Sequence, residues 1–118
     1  MPDTTTTIET LKEAVRRFAA ERAWEPFHSP KNLVMGMAVE TAELMEHFLW
    51  VDAEESRRLG QEPARRGDIA DEMADVACYL LTLSNVLGID LSEAILAKIE
   101  KNALKYPAAQ YRGRWTKD

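Results

Sequence analysis

Helical spacing governs the hydrophobic positions along nearly the whole chain. From Ile8, apolar residues return at Leu11, Val15 and Phe18, the repeat of one helix face. Thr6 with Glu9 three positions later offers a capping box for this first helix, which fades near Trp24. Ser29 followed by Pro30 predicts the start of a second helix, with Ser as N-cap and Pro in the first turn. That helix extends to about Trp50. The segment Asp52 to Gly67 mixes charges with two glycines and Pro63, and reads as a surface connection with room for a short helical turn. A third helix begins near Asp68, acid-rich where the macrodipole favours acids, and stops at Gly88. Asp90 with Glu93 opens a fourth, which ends before Pro107. Strand alternation, internal repeats and low-complexity tracts are all missing from the sequence. The expected fold is all-α, a four-helix bundle in one domain over residues 1–118, with a core at about 6–107 and a polar tail over 108–118.

Composition narrows the function classes. A chain of 118 residues can bury only a modest core, so association with further copies is a natural supplement. At 46% hydrophobic and 30% charged it belongs with ordinary globular proteins rather than disordered ones. Its formal charge of −5 argues against unaided binding to nucleic acid or an anionic membrane. An anionic substrate would need a local cation cluster or a metal. One cysteine, Cys78, excludes a disulfide within this sequence and fits a reducing compartment; its apolar surroundings predict burial. "MPDTTTT" has no apolar run resembling a signal peptide, and no segment has the length to cross a membrane. The expected setting is the cytoplasm.

The acids of the second and third helices are unusual in position. At roughly 100° per residue, Glu43 lies about 60° from Glu40, and Leu33, Leu44 and Val51 lie within about 40° of Glu40 on its other side. Glu40 and Glu43 therefore border the core stripe, whereas Glu46 is further round and free to be solvated. On the third helix, Glu72 and Asp75 repeat the arrangement beside Tyr79, Leu83 and Val86. Each pair is spaced i, i+3, so both carboxylates leave one side of the helix. A lone pair of this kind is ordinarily a solvated face. Two such pairs on two core-lining helices would gather four carboxylates, a charge that calls for a cation, and hard oxygen ligands select Mg²⁺ or Mn²⁺. A di-iron bundle needs Glu-x-x-His, and no Glu here has His three residues later.

Together, Glu40-x-x-Glu43 and Glu72-x-x-Asp75 resemble the E-x-x-E…E-x-x-D signature of the all-α nucleoside triphosphate pyrophosphohydrolases, the MazG-like superfamily. "FAAERAWEPFHSPKNL", Trp50, "DEMADVACYLL" and "KIEKNALKYP" extend the resemblance to the dCTP pyrophosphatase branch over about residues 15–107. Val15 departs from it, standing where that branch often has His, and Asp52–Gly67 does not match closely.

The resemblance implies Mg²⁺-dependent hydrolysis of a dNTP, dCTP or a modified dCTP first, to the monophosphate and pyrophosphate, as nucleotide-pool housekeeping. It implies metal ligation by Glu40, Glu43, Glu72 and Asp75, with Glu43 as the catalytic base. Lys31, Asn32, Lys98, Asn102, Lys105 and Tyr106 match positions near phosphate and sugar, and Trp24, His28, Trp50 and Tyr79 are candidates for the base pocket. A homodimer or homotetramer is implied as well. The alternatives are the same chemistry on dUTP or a broad NTP range, or a non-catalytic helical assembly module.

Overall fold

The structure, a computed structural model, describes residues 1–114, and every regular element among them is helical. Helices α1 (Ile8–Glu21), α2 (Pro30–Glu46), α3 (Ala53–Leu59) and α4 (Pro63–Leu87) lie in a first compact unit, Met1–Gly88, with a 3-10 turn at Glu25–Phe27 between α1 and α2. Helices α5 (Leu91–Lys105) and α6 (Ala108–Tyr111) belong to a second unit beginning at Ile89. The all-α expectation holds, but the described residues form six α-helices rather than the expected four, because Asp52–Gly67 carries α3 and the start of α4, and Ala108–Tyr111 adds α6. Residues 115–118 of the expected polar tail lie outside the described residues.

In the first unit, α4 is the scaffold. It is 25 residues long, with α2 packed along it and α1 against it. Leu33 on α2 is 2% exposed, and Ala19 of α1 and Ile69, Leu81 and Ser84 of α4 are buried as well. Burying a leucine to that degree contributes about 1.5–3 kcal/mol. Ser84 keeps its hydroxyl satisfied by donating to the Leu81 carbonyl at 2.7 Å. Asn85 ties α4 to α1: its amide donates to the Lys12 carbonyl at 2.9 Å, and Arg16 donates to its Oδ1 at 2.8 Å. The elements are thus held by a small apolar core plus one polar clasp.

Local chemistry explains most boundaries. The Asn32 N–H donates to the Ser29 hydroxyl at 3.1 Å, and Pro30 occupies the first turn of α2 as expected. Gly88 ends α4 in the left-handed region at φ 65°. In the second unit the Glu93 N–H donates to Asp90 at 2.9 Å, capping α5, and the Tyr106 and Tyr111 rings meet edge to face at 5.3 Å.

Four expectations change. The cap of α1 is Thr7, accepting from the Thr10 N–H at 3.1 Å, rather than Thr6, because the next threonine along supplies an equivalent hydroxyl. Helix α2 stops at Glu46 and the chain turns through His47–Trp50, so the apolar run to Trp50 outlasts the helix. The segment Asp52–Gly67 is largely helical: Asp52 caps α3 through the Glu55 N–H at 2.8 Å, and Pro63 is the first residue of α4 rather than a breaker. Consequently Asp68 and its neighbours sit inside α4, not at its positive end. Gly67, read as punctuation, is an exposed interior helix residue.

That last position yields a stability prediction. A Cβ at Gly67 would meet nothing within 4 Å, so Gly67→Ala gains helix propensity without a clash. Denaturant unfolding is expected to show about 0.5–1 kcal/mol of stabilisation. A loss of stability would mean that α4 does not continue through this residue.

Candidate active site

Packing of α2 on α4 brings the two acid pairs to one place. Carboxylate oxygens of Glu40, Glu43 and Glu72 lie within 4.8 Å of one another. Asp75, one turn beyond Glu72, lines a cavity with Glu40. Glu46 is exposed, as its place on the helix suggested.

The electrostatics show what is missing from this cluster. Oε2 of Glu40 and Oε2 of Glu72 are buried with no hydrogen-bond partner. A buried carboxylate oxygen without a partner is costly, and natural sites rarely tolerate two side by side. The Glu40 carboxyl is pushed from its ordinary 4.5 to about 7, by desolvation first and then by its contact with Glu43 and the charges of Glu43, Asp75 and Glu72. Desolvation and Glu43 likewise raise Glu72. The donor set is all oxygen, is anionic, and keeps two lone-pair-bearing atoms dry and unsatisfied. These residues fit a hard divalent cation such as Mg²⁺ or Mn²⁺.

Beside the acids lie two open cavities. The larger, about 520 Å³, runs from Glu40 and Asp75 past Tyr79, Cys78 and Thr82 to α1 and Trp24. A smaller one, about 320 Å³, adds Phe27 and Asn32. Trp24, His28, Leu33 and Tyr79 line both. A strained turn places Trp24: Ala23 adopts φ 53°, and the Trp24 N–H returns to the Ala19 carbonyl at 3.0 Å. The indole then packs edge-on to Phe18 at 5.6 Å and to His28 at 6.4 Å. Asn32 holds the other side of this turn, its amide donating to the Phe27 carbonyl at 3.0 Å.

Of the residues singled out in the sequence, the first unit therefore assembles Glu40, Glu43, Glu72, Asp75, Trp24, His28, Asn32 and Tyr79. Lys31 is exposed and lines neither cavity. Trp50 is 93% exposed and likewise lines neither. Lys98, Asn102, Lys105 and Tyr106 belong to the second unit, where Lys98 is exposed, Asn102 is half-buried and the Lys105 ammonium lies 5.4 Å from the Tyr106 ring centre. Cys78, expected to be buried, is exposed, because it forms part of the wall of the open cavity. Val15, Phe18 and Thr82 also line that wall, the first two from the apolar face of α1.

Similarity to known proteins fits this arrangement. A model of the MazG-like family matches residues 36–118. The chain belongs to the MazG-like family. It is 36% identical over 107 residues to dCTP pyrophosphatase 1 of Bos taurus and 38% identical over 102 residues to that of Homo sapiens, covering 91% and 86% of this chain. It spans only 63% and 60% of the length of those relatives. The crystal structure of a pyrophosphatase from Archaeoglobus fulgidus is similar in fold, with a TM-score of 0.80 at 37% identity, covering 91% of this chain and 98% of that one.

The acid cluster predicts a pH dependence. In the folded, metal-free protein Glu40 keeps its proton up to about 7, whereas the unfolded chain loses it near 4.5, so the folded state binds more protons between those values. Stability therefore falls as pH rises through that window. The melting temperature of metal-free protein is expected to drop from about pH 4.5 to about pH 7, less steeply in Glu40→Gln, and to recover on addition of Mg²⁺. A flat profile in the unsubstituted protein would contradict the cluster.

Proposed function

We propose that this MazG-like protein is a Mg²⁺-dependent nucleoside triphosphate pyrophosphohydrolase that converts a dNTP, dCTP or a modified dCTP first, to the monophosphate and pyrophosphate. The observation that carries this reading is the pair of orphaned oxygens on Glu40 and Glu72 inside an all-acid cluster beside an aromatic-lined cavity. An anionic triphosphate beside four carboxylates calls for a cation between them, and the cluster is a place for it. The naming of the relatives as dCTP pyrophosphatases supports cytosine as the base.

Each residue then has a task. Glu40, Glu43, Glu72 and Asp75 would hold the metal. When bound, Mg²⁺ supplies charge neutralisation at the phosphates and a polarised water. Glu43, exposed where Glu40 and Glu72 are half-buried, is open to solvent and accepts the water's proton as general base. Trp24 and Tyr79 offer faces against which a base can stack, worth about 1–3 kcal/mol each, and His28 can hydrogen-bond its edge. The resemblance assigns phosphate and sugar contacts to Lys98, Asn102, Lys105 and Tyr106, with Lys31 as a further cation.

Self-association belongs to the same proposal. On α2, Val34, Met35, Val39 and Met45 are each about half exposed, with the exposed Leu49 and Trp50 following in the turn after it. An apolar face of that extent is expected to meet another copy, as a homodimer or homotetramer. Such a contact also gives Trp50 a place to be buried. Light scattering is expected to report a dimer or larger; a monomer at micromolar concentration would contradict it.

Pyrophosphate release over a panel of dNTPs and NTPs, with and without Mg²⁺, tests the activity. Turnover is expected with Mg²⁺ only and fastest on a cytosine nucleotide. Preference for dUTP or breadth across bases would retain the chemistry and change the pocket's reading. Silence on every nucleotide from folded protein would leave a helical assembly module instead. Glu43→Gln is expected to lower kcat at least about a hundredfold, and near-normal turnover would place the base elsewhere.

A further inference from the structure

Tyr79 owes its position to a residue with no side chain. The outer half of its ring lies against the α2 backbone at Gly36, where a Cβ would stand 2.4 Å from Cε1, 2.7 Å from Cζ and 3.0 Å from the hydroxyl oxygen. Ordinary contact begins at 3.4 Å, so any side chain at position 36 would displace the ring by about 1 Å, the difference between 3.4 and 2.4 Å. Tyr79 is a wall of both cavities, which supply the free space into which a displaced ring can move. A glycine inside a helix costs stability relative to alanine, and Gly67 shows the contrast: a methyl there meets nothing. Gly36 therefore sacrifices helix propensity at the one position where α2 must receive the phenol ring.

We infer that Gly36 is a specificity-determining positioning residue, which seats Tyr79 against α2 and so keeps the base cavity wide enough for a pyrimidine carrying a small extra substituent. The inference rests on the nucleotide reading above. A loss of about 1 Å along one wall removes room comparable to part of a methyl group. An unsubstituted cytosine is expected to tolerate that narrowing, whereas a 5-methyl group is not. One methyl in a fitted pocket is worth about tenfold or more in discrimination.

The test compares kcat/KM for dCTP and 5-methyl-dCTP in four proteins: unsubstituted, Gly36→Ala, Tyr79→Leu and the double variant. Gly36→Ala is expected to lower kcat/KM on 5-methyl-dCTP about tenfold more than on dCTP, through KM, with kcat held. Leucine lacks the Cε and Cζ atoms, so in the Tyr79→Leu background Gly36→Ala should leave the ratio alone. An unchanged ratio in the first comparison, or an equal change in both backgrounds, would overturn the inference. The coupling is read a second time without substrate. Gly36→Ala should raise the melting temperature more in the Tyr79→Leu background than in the unsubstituted protein, with Gly67→Ala as the control that gains in both. Equal gains in the two backgrounds would show that position 36 does not seat the ring. Absence of all turnover in the unsubstituted protein would overturn the proposed function and the selectivity with it, while the melting comparison still decides whether Gly36 positions Tyr79.

Discussion

Like charge is held against like charge where α2 crosses α4, and the rest of the first unit is arranged around that conflict. Glu40 and Glu72 each keep one oxygen dry and unpaired, with Glu43 within 4.8 Å of both. No apolar core gains from such an arrangement: protonation relieves it, as the rise of Glu40 to about 7 shows, and a divalent cation would relieve it further. Leu33 is buried on α2, one of the two helices that carry the acids, and the Asn85 clasp holds the other, α4, to α1. Energy invested in packing is thus opposed by energy stored in the site.

The cavity follows from the same crossing. One face of α4 presents Glu72 and Asp75 and, one turn on, Tyr79, so the ring necessarily lies next to the acids. On the far side the Ala23 turn brings Trp24 across, and the Asn32 amide fixes the loop that carries Phe27 and His28. Acid and aromatic parts of the site therefore share a frame of two helices and one strained turn. A change at Gly36, half-buried in that frame, reaches the cavity through a single ring.

Periodicity made the helices legible, and the i, i+3 spacing made the acid pairs legible, because both are properties of a single helix. Glu40, Glu43 and Glu72 come together as their helix faces implied. What the sequence concealed depends on the meeting of two segments. Gly36 looks like an unremarkable helix weakness until Tyr79 is seen lying on it. Val15 and Phe18 look like core until the cavity opens beside them. Pro63 and Gly67 look like a loop because their residue types are ambiguous between a break and the first turn of a helix, and only the packing of α4 decides. Trp50 is exposed, and its place at the end of an apolar run did not reveal that the helix stops before it. Lys98 and Asn102 belong to the second unit, and it is the family pattern that singles them out.

Calorimetric titration of metal-free protein with Mn²⁺ near pH 6, repeated in buffers of different ionisation enthalpy, tests the central claim most directly. At that pH Glu40 is mostly protonated, since its carboxyl titrates at about 7, so a cation binding among these acids must displace its proton. The expected result is saturable binding with release approaching one proton per ion, lost in Glu40→Gln. Binding without proton release, or binding that survives Glu40→Gln unchanged, would contradict the assignment of these carboxylates as the metal site.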